Sequence, residues 1–157
     1  MNAIPFRSQD AAEVCDTNLC ELIQVVCLTL SRRLRRQHVS CSIDVETELR
    51  FPLDAARVTE ILEQMVIDSL RAMPEGGELD VTAIVSPRGL EIEVADSGVG
   101  FEPVFGLRLV SQSSGADQDH DYGPGGLREI RIETLRCPQG GTARTLFIPW
   151  PTLKAAA

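Results

Sequence analysis

A chain of 157 residues, 43% hydrophobic and 24% charged, has the length and composition for one globular domain with a two-layer core. A formal net charge of −8 argues against a nucleic-acid partner, which needs a basic face to neutralise phosphates. No apolar run approaches the ~20 residues that span a bilayer, and Met1-Asn2-Ala3-Ile4-Pro5 lacks the basic-then-apolar pattern of a signal peptide. No membrane partner is therefore expected, and the location expected is cytoplasmic. Of the 15 basic residues only Lys154 is a lysine, and no GxxxxGK[ST] loop occurs, so a phosphate-gripping lysine loop is excluded.

Residues 1–15 show no pattern and read as a tail; a domain over 16–150 and a second tail over 151–157 are expected. Asp16 or Thr17 is a candidate cap for a first helix beginning near Asn18, with Glu21 in its first turn. Leu19, Leu22, Ile23, Val26, Leu30 and Leu34 recur at helical spacing along it, and its end is basic at Arg32, Arg33, Arg35 and Arg36. Ser40 to Glu46 alternates polar and apolar, as a half-buried strand does. Asp54 caps a second helix with an apolar stripe over Val58, Ile61, Leu62, Met65, Val66, Leu70 and Met73, stopped by Pro74-Glu75-Gly76-Gly77. Two strands, 79–85 and 90–95, then form a hairpin about Ser86-Pro87-Arg88-Gly89. Asp96-Ser97-Gly98-Val99-Gly100 follows directly. Residues 104–110 read as a short helix and 111–126 as an acidic, Ser- and Gly-rich loop; 130–135 and 142–148 form a last hairpin. Mostly antiparallel strands interleaved with helices predict an α+β fold, a two-layer sandwich with helices on one face of a mixed sheet.

The five cysteines form no CxxC pair. Three are grouped with the first predicted helix among Leu, Ile and Val, and all are read as small buried hydrophobes in a reducing compartment rather than zinc ligands.

Three segments carry candidate chemistry. Gln64 and Asp68, four apart, project from one face of the second helix beside its apolar stripe, where a carboxylate can hold Mg²⁺. Asp96 ends a strand, where its carboxylate can accept a hydrogen bond from an exocyclic amine. Gly98 and Gly100 let the backbone turn and approach a ligand. Gly123-Pro124-Gly125-Gly126-Leu127 can present backbone N–H groups to phosphate.

The order and spacing of these segments resemble the ATP-binding domain of sensor histidine kinases, of the GHKL superfamily, over roughly 16–150 and most strongly from Arg57 to Phe101. The resemblance implies a Bergerat-type ATP-binding fold, with ATP and Mg²⁺ as cofactors. It carries Asp96 to the aspartate that accepts the adenine amine, and Gly98 and Gly100 to the glycines of the same box. Asp68 falls on the magnesium-binding asparagine, and Gln64 on another asparagine or a glutamate. Gln64 cannot act as a base, so water-activating ATPase chemistry loses its usual catalyst. After Phe101 the family places a long lid and a second glycine box. Here Phe105-Gly106-Leu107 matches that box with the lid deleted, or Gly123–Gly126 matches it with a short lid; the first alignment, with Gly106 toward the phosphates, is preferred. The chain has only His38 and His120, and residues 1–15 are too short for the phosphoacceptor hairpin that precedes this domain in the family. Phosphoryl transfer is thus expected only in trans, to a His-containing phosphoacceptor or regulatory protein. The alternative is a degenerate, non-catalytic GHKL fold acting as an interaction module.

Overall fold

The computed structural model describes residues 14–99, 130–138 and 140–151. In chain order these form β1 (Cys15–Asn18), α1 (Leu19–Thr29), α2 (Ser31–Arg36), β2 (Val39–Asp44), β3 (Arg50–Leu53), α3 (Ala55–Ala72), β4 (Gly77–Ser86), β5 (Gly89–Asp96), β6 (Arg131–Arg136) and β7 (Thr142–Pro149).

α3 forms where its apolar stripe required. The Asp54 side chain accepts the Arg57 N–H at 3.1 Å, which satisfies one of the free donors of the first turn. The stripe then buries Val58, Ile61, Leu62, Met65, Val66 and Leu70 against the sheet, and the helix ends before Pro74. Two expectations for the first helix are corrected. Its cap is Asn18, whose side chain accepts the Glu21 N–H at 3.1 Å. The helix also breaks at Leu30, giving α1 and a separate basic turn, α2.

Five strands form one sheet in the order β2-β4-β5-β7-β6, with β2 parallel to β4 and the other pairs antiparallel. Leu79, Val81 and Ala83 of β4, Leu90, Ile92 and Val94 of β5, and Leu146 and Ile148 of β7 point to the helices, as period-two alternation dictates. Their other faces carry Asp80, Thr82, Glu91, Glu93 and Thr145. The two-layer mixed α+β sandwich is therefore the fold observed.

A second, two-stranded ribbon was not expected. β1 pairs antiparallel with β3, Cys15 opposite Leu53, and Arg50 Nε donates to Asp16 Oδ2 at 2.7 Å across it. Four-residue strands carry too little alternation to be distinguished from loop. The helix predicted over 104–110 and the loop over 111–126 lie outside the described residues.

Candidate functional site

Asp96 is the last residue of β5, paired in register with Leu79 of β4 and Thr142 of β7. The strand's alternation turns it to the helix side, where its neighbours in phase are Val94 and Ile92. A lone carboxylate there would cost several kcal/mol. The chain answers with Arg144, the inward residue of β7 one step from Thr142. Arg144 Nη1 donates to Asp96 Oδ2 at 3.2 Å and to Ser69 Oγ of α3 at 3.0 Å. Both charged side chains are buried, with 5% of Arg144 and none of Asp96 exposed. Asp96 Oδ1 accepts the Gly98 N–H at 3.1 Å, closing an Asx-type turn. Among the described residues Arg144 Nη2 is buried without a partner.

The glycine turn is pressed onto the last turn of α3. A Cβ on Gly98 would sit 2.6 Å from the Ala72 carbonyl oxygen, and Val99 N–H donates to that same oxygen at 3.3 Å. Ser97 ties the turn to β4: its N–H donates to the Glu78 carbonyl at 3.1 Å, and its hydroxyl accepts the Glu78 N–H at 2.9 Å. Gly141, at φ +94°, lets the start of β7 lie against the Asp96 carbonyl, where a side chain would collide with backbone. Asp96 is thus fixed at the end of the sheet, against the C-terminal end of α3.

Asp68 and Gln64 lie one turn apart on α3 but in different environments. Asp68 is buried, and Arg71 Nη1 donates to its Oδ1 at 3.0 Å. Gln64 is exposed. Gly100 and Gly106 lie outside the described residues, as does Gly123–Gly126. Arg144, Ser69 and Arg71 were not anticipated. The signal for Arg144 was present in β7, where an arginine stands in phase with Leu146 and Ile148 and so demands a buried counter-charge. Among the described residues no three His, Cys, Asp or Glu side chains cluster as a metal site, and no helix is long and apolar enough to cross a membrane.

No family model matches the sequence. A stretch of 74 residues, 45% of this chain, is 38% identical to histidine protein kinase DivJ of Caulobacter vibrioides, of which it spans only 12%. The nucleotide-free catalytic domain of histidine kinase ThkA superposes with a TM-score of 0.68 at 20% identity, over 89% of this chain and 99% of that one. The cytoplasmic segment of histidine kinase QseC gives 0.63 at 16%, over 92% and 80%. The kinase domain of the E. coli osmosensor EnvZ gives 0.58 at 16%, over 96% of each. The chain has the fold of histidine kinase catalytic domains.

Proposed function

We propose that this chain, folded as a histidine kinase catalytic domain, is a nucleotide-binding module of two-component-like signalling that hands the γ-phosphoryl group of ATP to a histidine on another protein. The observation that carries this reading is the fixed position of Asp96 at the end of β5, backed by Gly98 on α3. Each carboxylate oxygen has two acceptor positions, and the described residues occupy one on each, through Gly98 and Arg144. The remaining positions suit the exocyclic amine of adenine. Asp68 is the residue that would hold Mg²⁺; it immediately precedes Ser69, which touches the same arginine as Asp96. The ion, when bound, neutralises phosphate charge. Gln64 supplies no base, which disfavours hydrolysis by water. A neutral imidazole is itself nucleophilic and needs no base from this chain. ThkA forms a complex with the response regulator protein TrrA, and a partner of that kind, or one bearing the phosphoacceptor histidine, fits the signalling role.

A second reading, a non-catalytic interaction module on the same fold, is favoured by the arginine pairs. Arg144 and Arg71 already neutralise the two carboxylates on which the nucleotide site depends. The side chain of Asp96 has no exposed surface, so a base reaches it only after the groups covering it move. Calorimetric titration with ATP and a non-hydrolysable analogue, with and without Mg²⁺, separates the two. Micromolar, Mg²⁺-dependent binding that is weakened in Asp68→Ala and lost in a folded Asp96→Asn variant is the expected result. No binding by the unaltered chain up to millimolar nucleotide would leave the interaction module standing.

A further inference from the structure

Cys27 lies on the buried side of α1 and Cys41 on β2, the strand at one edge of the five-stranded sheet. Their Sγ atoms are 3.7 Å apart, while Cys27 is buried and Cys41 is exposed. This contradicts the expectation that the cysteines are all small buried hydrophobes, since Cys15 and Cys41 are exposed residues. Neither residue takes part in the Asp96 site, which is built from β5, β7 and α3. A disulfide bond is about 2.05 Å long, so closing the gap asks for an approach of about 1.6 Å, within reach of side-chain rotation.

We propose that Cys27 and Cys41 are a thiol–disulfide pair, oxidised by a small-molecule disulfide of the glutathione type and stapling the helix layer to the sheet edge. The hydrogen bond with Cys27 holds the Cys41 thiol below the ordinary range, against the opposing effects of burial and of Asp80. The same hydrogen bond, with burial, pushes the Cys27 thiol up. Cys41 is therefore the attacking thiolate, because nucleophile and exposure coincide there. It attacks one sulfur of the oxidant. A mixed disulfide forms on Cys41, the oxidant's S–S bond breaks and one thiolate leaves. Capping Cys41 removes the main cause that kept Cys27 protonated. The Cys27 thiol then gives its proton to solvent and attacks the Cys41 sulfur, forming the protein disulfide and releasing the second thiol. The two protein sulfurs lose two electrons and two protons, and the oxidant is reduced to two thiols. The bond closes a loop over 27–41 that contains α2 and its four arginines.

The test incubates the folded chain with oxidised glutathione, quenches with N-ethylmaleimide and digests with trypsin and a glutamate-specific protease. Those cuts leave Cys27 in a peptide of residues 22–32 and Cys41 in one of 37–46, each with a single cysteine. The expected product is these two peptides joined, at least tenfold above any other cysteine pairing, and a melting temperature raised on the order of 5 °C over the reduced chain. A Cys27→Ser variant should instead retain glutathione on Cys41, and the unaltered chain unfolded in urea should lose the preference for this pairing. Glutathione persisting on Cys41 in the unaltered folded chain, or equal pairing in the folded and unfolded chain, would overturn the proposal.

Discussion

Asp96 and Arg144 depend on each other more than either depends on solvent. With 5% of one side chain exposed and none of the other, removing one partner leaves an uncompensated charge in the interior. Asp96→Asn and Arg144→Met are each expected to lower stability by about 3 kcal/mol in urea denaturation. The double variant should lose less than the sum, with a coupling of about 2 kcal/mol. Full additivity would mean that the pair contributes nothing jointly. By contrast, the exposed Arg50–Asp16 pair bridges β1 and β3 in solvent, where such contacts contribute little.

The helices are set by their ends as much as by their stripes. Asp54 and Asn18 each accept an N–H of the first turn, so Asp54→Ala and Asn18→Ala should each cost about 1 kcal/mol by the same measurement. The far end of α3 does a second task, because the Ala72 carbonyl is the surface on which the glycine turn rests. Gly98→Ala places a methyl group 2.6 Å from that oxygen and must lift the turn. A loss of about 2 kcal/mol is expected, together with weaker nucleotide binding than the unaltered chain in calorimetry. Unchanged stability would show that the turn is free to move.

The ribbon β1–β3 and the sheet are joined through Phe51 and Trp150. Their ring centroids are 4.4 Å apart, and Trp150 Nε1 donates to the Ser86 carbonyl at 3.0 Å. Trp150 is the only tryptophan, so its fluorescence reports the junction of ribbon, sheet end and C-terminal strand. If one core holds all of them, fluorescence and far-UV circular dichroism should give coincident urea transitions. A fluorescence transition at lower urea would mean that the ribbon junction opens independently.

The long elements were legible because their periodicity exceeds noise. α3, the hairpin β4–β5 and the strands β6 and β7 follow from alternation and from the punctuation at Pro74 to Gly77 and Ser86 to Gly89. The two-layer arrangement follows from their order. The turn from Asp96 to Gly98 was legible because an acid at a strand end followed closely by a glycine is a local pattern. The short strands β1 and β3 were not, since four residues become a strand only when a partner far along the chain supplies the hydrogen bonds, as between Cys15–Asn18 on one side and Arg50–Leu53 on the other. The pairs Asp96–Arg144 and Cys27–Cys41 were decided by the tertiary structure alone. Sequence shows which residues can ionise or oxidise; only packing decides which of them are taken out of water together.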